Sequence, residues 1–283
     1  MYVNTRQNQL YYPLKDILIM KSLLNLYVAS AMAFAMVPGI ANANGDNELL
    51  KLSYLDGKPE TVGVDNVNKV LAPIGAHISL VSIPAEATPF IEASKTRALT
   101  KNETQRVMAL FALHRGQLLE EIAKAGRQPE AHRGGYLTTS DVGDAPYPKL
   151  FDMKAIPAKF IPVAQTKYGK LHVNTSDDGF GIDELMTVVS GGPWIWFFRL
   201  PDGEIVKLSV GPMRAGAKAF RISYAGLVPH GAFLNAAYGL SVAYAIGPKS
   251  FHMRYDDPSV AGADVLGTNP WIDFTGSTPR LRN

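Results

Sequence analysis

Apolar positions recur along this chain in two rhythms. Between Lys101 and Ala125, the residues Val107, Leu110, Phe111, Leu118 and Ile122 fall at helical spacing on one face. That spacing predicts a single long amphipathic helix. Thr100 with Glu103 three residues on has the form of a capping box, in which each side chain meets a free amide of the first turn. Gly126 stands where a left-handed C-cap belongs, and Pro129 blocks any continuation. From Arg133 onward the rhythm shortens to apolar runs divided by glycine, proline and aspartate. Phe160–Thr166, Lys170–Asn174, Leu185–Ser190, Trp194–Leu200, Glu204–Val210, Ala219–Tyr224, Gly239–Ile246 and Ser250–Arg254 read as eight strands. Short strands without intervening helices predict a jelly roll or sandwich. Asp202-Gly203, between Leu200 and Ile205, is the strongest hairpin signal.

Ahead of the helix, Leu52 to Val62 is strand-like around an Asp56-Gly57 turn. Asp65 is placed to cap a short helix through Leu71, and His77–Ile83 reads as another strand. The tail from Asp257 to Asn283 carries turn residues and Trp271, and is expected to wrap the surface.

At the N-terminus, Lys21 precedes an apolar run from Leu23 to Val37. Pro38-Gly39 breaks the run and Ala41-Asn42-Ala43 follows. A basic start, an apolar core and an Ala-x-Ala site describe a secretory signal over residues 20–43, cleaved after Ala43. Residues 1–19 then read as an upstream extension. The expected location is periplasmic or secreted, with no stable membrane insertion after cleavage. The organisation that follows is 1–43 extension and signal, 44–127 an α/β lead-in with the long helix 101–125, 128–258 the β-region, and 259–283 a tail.

Charge changes little in this picture. Lys+Arg is 28 and Asp+Glu 25 over the whole chain; without residues 1–43 they fall to 25 and 24, a net charge of +1. No basic stripe remains that would serve nucleic acid. With no cysteine, disulfides, thiolate metal sites and cysteine nucleophiles are excluded. There is no P-loop, no Gly-x-Gly-x-x-Gly, no Gly-x-Ser-x-Gly and no His-Glu-x-x-His.

From Leu118 to Asp256 the order of motifs resembles the cupin superfamily, in particular a little-characterised bacterial and fungal branch of single-domain cupins. The resemblance rests on Gly134-Gly135-Tyr136, on His172 in Lys-Leu-His-Val-Asn, on Asp183-Glu184 with Gly191, and on Asp202-Gly203. Val210-Gly211-Pro212, Tyr244–Pro248 and Phe251–Asp256 complete it. It departs from that pattern at Arg133, where an acidic residue is usual, at Leu137-Thr138, and in an inserted loop, Ser176–Gly181. The implied fold is mainly β with a helical N-terminal part (α+β): a cupin-like jelly-roll β-barrel preceded by a long amphipathic helix.

The resemblance also frames the chemistry. Metal-binding cupins converge imidazoles and one carboxylate inside the barrel, and His172, Glu184 and His230 are the nearest match, with Asn174 where a second histidine would stand. That set has the two-histidine, one-carboxylate composition of a divalent metal site for Fe, Mn, Ni or Zn. The metal-free alternative is an epimerase-type pocket with His172 as base and Tyr136 or Tyr224 as acid. Arg133 would anchor a carboxylate or phosphate of the substrate, and Trp196 and Tyr224 would contact it. His114 on the long helix reads as a packed histidine, and His132 and His252 read as structural. Two functions follow: an exported enzyme of isomerase, epimerase or oxygenase type acting on a small molecule, or a non-catalytic periplasmic ligand-binding or interaction protein on the same scaffold. A homodimer is implied by the resemblance alone.

Overall fold

In the computed structural model, residues 43–128, 131–132, 135–136, 148–248 and 250–282 are described. Residues 1–42 of the expected extension and signal lie outside them, as do Arg133 and the side chains of His132 and Tyr136. The helices are α1 (Ala43–Asn47), α2 (Val64–Leu71), α3 (Thr88–Thr96), α4 (Lys101–Leu110), α5 (Arg115–Lys124) and α6 (Ile161–Gly169). The first strands are β1 (Leu50–Ser53), β2 (Thr61–Val62), β3 (His77–Val81), β4 (Ala131–His132), β5 (Gly135–Tyr136), β6 (Lys149–Asp152), β7 (Val173–Thr175) and β8 (Asp183–Gly191). They are followed by β9 (Trp194–Arg199), β10 (Ile205–Val210), β11 (Ala219–Tyr224), β12 (His230–Phe233), β13 (Gly239–Ile246), β14 (His252–Arg254), β15 (Ile272–Asp273) and β16 (Arg280–Leu281). None of the described helices is long and apolar enough to cross a membrane.

Two five-stranded antiparallel sheets carry the fold, one ordered β12-β9-β10-β1-β2 and the other β3-β11-β8-β13-β6. They face each other across one core. Leu52, Trp196, Phe198 and Leu208 of the first sheet pack with Ile78, Met186, Phe220 and Ile222 of the second. Among the described residues no strand pairing joins the two sheets, so the expected barrel is an open sandwich. Double-sheet antiparallel architecture is what jelly rolls, cupins among them, use to bury apolar strand faces. The outermost strands are short, β2 with two residues, β6 and β12 with four each and β3 with five, which blunts the edges against pairing with another chain. β1 pairs with β10 and β3 with β11, so the segment leading into the β-region supplies strands to both sheets.

Each sheet is also covered on its outer face, which explains strands apolar on both sides. Leu185, Val189, Val242 and Ile246 meet Val107, Phe111, Leu118 and Ile122 of the α4–α5 region. Ile195 and Phe197 meet Leu171, Trp271 and Ile272. The aromatic run of β9 thus splits by period two: Trp194, Trp196 and Phe198 face the inter-sheet core, Ile195 and Phe197 the tail. Trp271 is buried and its indole donates to the Ile205 carbonyl; the tail is packed in as well as wrapped around. The Asp202-Gly203 hairpin forms as expected, with Gly203 at φ +94°.

Four expectations need correction. The long helix 101–125 is two helices, parted where the Leu113 amide donates to Tyr244 Oη and His114 caps α5 in a box with Gln117. His114 is therefore an exposed cap, not a packed residue. Phe160–Thr166 is not a strand: it is the entry to α6, with Pro162 in the first turn, where a missing amide proton costs nothing. Asp65 does not cap α2; the Val64 amide donates instead to Asn47 Oδ1. β6 and β12 were not anticipated.

Candidate functional site

One end of the inter-sheet core is polar. Glu184, second in β8, sits directly opposite Tyr224, which closes β11. Because side chains alternate, Glu184, Met186 and Val188 all point inward. Its neighbour Asp183 belongs to the opposite face, where it is ion-paired with Arg127. Tyr224 Oη donates to Glu184 Oε2 at 2.6 Å, in the range of a charge-assisted O–H···O bond. Replacing Tyr224 with phenylalanine is expected to lower stability by about 1.5–3 kcal/mol, the usual worth of a bond to a charged group. Urea unfolding of the pair measures it; a loss under about 0.5 kcal/mol would show that the bond contributes nothing.

β12 brings the histidines together. The backbones of His172 and His230 exchange two hydrogen bonds, at 2.8 and 3.0 Å. Their rings lie 4.6 Å apart, and Tyr224 lies 4.8 Å from His230. Each ring meets the carbonyl two residues before it, His172 Nδ1 at Lys170 (2.8 Å) and His230 Nδ1 at Val228 (2.7 Å). A carbonyl only accepts, so both Nδ1 atoms carry a proton, and the neutral His172 ring presents a lone pair at Nε2. His230 Nε2 accepts from Asn174 Nδ2 at 3.0 Å, with Glu184 Oε2 3.5 Å away. His172 Nε2 makes no hydrogen bond to a described residue. Burial first, and then the neighbouring His230, push the His172 pKa down to about 3; the ring is neutral across the physiological range.

These groups floor a cavity of about 60 Å³ walled by Phe151, Tyr168, Met186, Trp194, Trp196 and Leu234. The volume holds a few water-sized bodies and lies well below the roughly 300–1,000 Å³ of drug-sized sites. Of the residues singled out in the sequence, His172, Glu184, His230, Tyr224 and Trp196 line this one cavity. Arg133 lies outside the described residues. Tyr136 is described only as backbone, in the β4–β5 pairing opposite Ala131. Sequence reasoning missed Tyr168 and Phe151 as wall residues, and read Asn174 as a missing ligand rather than a partner of His230. Tyr168 has its pKa raised by burial and by nearby Glu184.

No family model and no curated protein matches the chain. Among solved structures, one similar chain is titled "Acireductone dioxygenase from Bacillus anthracis with cadmium ion in active center". It is 16% identical with a TM-score of 0.44, covering 71% of this chain and 94% of that one. A likeness of that degree assigns neither a site nor a chemistry to this protein.

The metal set therefore stands on its own geometry. Among the described residues no three His, Asp or Glu side chains are arranged to hold a metal ion. His172, Glu184 and His230 share the cavity, yet Asn174 occupies the His230 lone pair and Tyr224 occupies Glu184 Oε2. A divalent metal on these three groups would therefore have to displace the Asn174 and Tyr224 donors.

Proposed function

We propose that this chain is an exported, cupin-like protein that binds a small molecule in the His172–Glu184–Tyr224 cavity and moves a proton on it, as an isomerase or epimerase does. The observation that carries this reading is one cavity holding both an open imidazole lone pair and a tyrosine–carboxylate pair. His172 Nε2 accepts a proton from the bound molecule, and Tyr224 delivers one once its hydroxyl turns from Glu184 toward that molecule. Trp194 and Trp196 keep bulk water from the exchange. Export rests on the apolar run Leu23–Val37 and the Ala41-Asn42-Ala43 site.

One observation favours a second reading, a non-catalytic ligand-binding protein. A base with a pKa near 3 is far from the value near operating pH at which general bases work best. Incubating the purified protein with a small-molecule extract in D₂O, followed by mass spectrometry, separates the two. Deuterium incorporated into one compound by the wild type, and lost in Tyr224→Phe and Glu184→Gln, supports proton transfer. A compound retained without exchange supports binding alone. Stoichiometric iron, manganese, nickel or zinc that disappears in His172→Ala would overturn the metal-free arrangement.

A further inference from the structure

Phe151, Tyr168 and Leu234 form a thin wall. They line the inner cavity on one side and a second cavity of about 310 Å³ on the other. The second cavity is bordered by Lys149 and Asp152 of the edge strand β6 and by α6. Along β6 the side chains alternate. Leu150 packs into the helix-covered core, while Phe151 packs toward the inter-sheet core. Lys149 shares the inward side with Phe151, its Nζ 4.6 Å from the ring centre.

That lysine is half-buried, and no carboxylate among the described residues pairs with it. Asp152 does not neutralise it, since its carboxylate accepts from the Leu99 and Lys154 amides at 2.7 and 2.9 Å. Burial lowers the Lys149 pKa, and the one charged neighbour that adds to the shift is a second cation, Lys167 of α6. Lys167 Nζ lies 5.8 Å from the centre of the Tyr168 ring. Burying part of a cation beside a like charge is unfavourable unless an anion arrives to relieve it.

We propose that this outer cavity is a vestibule selecting a small carboxylate-bearing molecule, whose carboxylate rests on Lys149 while its body passes Tyr168 toward His172 and Glu184. The inference rests on the reading that the inner cavity is the working site, and it names the substrate class. Lys149 acts here as a specificity-determining residue, not a catalytic one. Electrostatic focusing by an unpaired cation in a low-dielectric cleft also predicts that capture weakens as salt rises.

The matched pair benzoate and benzamide, alike in shape and different in charge, tests this by titration calorimetry with tryptophan fluorescence as a second readout. Wild type is expected to bind benzoate at least ~10-fold more tightly than benzamide at low salt, a preference shrinking with added salt. Lys149→Met should bring the ratio to about 1–2, and Lys149→Arg should retain it. Equal binding of the two probes to wild type overturns the proposal whether or not any variant folds. So does a preference that survives Lys149→Met. Binding of neither probe overturns the vestibule, while the deuterium exchange assay independently decides the inner site.

Discussion

Replacing Glu121 with leucine is expected to cost about 3–5 kcal/mol, the usual penalty for leaving a buried charge without its partner. Glu121 and Arg221 form an ion pair at 3.4 Å between α5 and β11, with both side chains nearly fully buried. Arg221 Nε also donates to Thr187 Oγ1 at 3.1 Å. Among the described residues Glu121 is the one carboxylate paired with Arg221, so its loss strands the guanidinium under a helix. The converse change is milder. In Arg221→Met, Glu121 keeps Lys124 at 3.1 Å and Ser79 at 2.9 Å, and about 1–2 kcal/mol is expected. The double variant Glu121→Leu/Arg221→Met should recover most of the larger loss, because a well-packed apolar pair often matches a buried ion pair. Urea unfolding of the four proteins measures the coupling. A single Glu121→Leu loss under about 1 kcal/mol would show that the pair is hydrated rather than buried.

That network matters to the cavity because it holds the outer face of the strands whose inner face carries the chemistry. Arg221 and Thr187 point toward the helices, while Tyr224 and Glu184, three residues along on the same two strands, point into the core. Arg127, just beyond α5, repeats the arrangement by pairing with Asp183 and donating to Ser223 Oγ at 2.7 Å. The acidic pair Asp183-Glu184, conspicuous in the sequence, is thus divided by strand alternation: one carboxylate pins the helix layer and the other enters the cavity.

How much of this could be read beforehand follows from which contacts are local. β9, β10, β11 and β13 were legible because their apolar runs are bounded by glycine and proline, and because Asp202-Gly203 fixes a two-strand register. α6 was not, since Ile161-Pro-Val has a strand-like composition and becomes helical only with Pro162 in the first turn. The break between α4 and α5 depends on Tyr244, far along the chain, accepting the Leu113 amide, and no window over the helix contains that information. In the cavity, His172, Glu184 and His230 were found through motif order. Their meeting depends on the His172–His230 bridge and the Glu184–Tyr224 register, both products of strand pairing. Asn174 was visible as a departure from a metal-binding pattern. Its role as donor to His230 required the ring's tautomer, which the Val228 carbonyl sets.

The neutral His172 ring makes stability fall in acid, and the sign can be worked out. In the unfolded chain this histidine protonates near its ordinary pKa of 6.5, whereas in the fold burial and the His230 ring hold it neutral down to about pH 3. Between those values the unfolded state binds more protons, so stability rises with pH and is lost as pH drops through the window. Each pKa unit is worth about 1.4 kcal/mol, giving a ceiling near 5 kcal/mol for the full shift. His77, lowered by burial, and Glu103 and Asp177, lowered by their hydrogen-bonded partners, slope the curve the same way. The diagnostic quantity is therefore the difference between wild type and His172→Gln, measured by urea unfolding at a series of pH values. Wild type is expected to hold its advantage above pH 7 and to lose about 3 kcal/mol of it by pH 4. A difference that stays constant from pH 7 to pH 4 would mean that His172 takes up its proton in the folded cavity as readily as in water. It would then be a base of ordinary strength, and the strongest argument for ligand binding without catalysis would be gone.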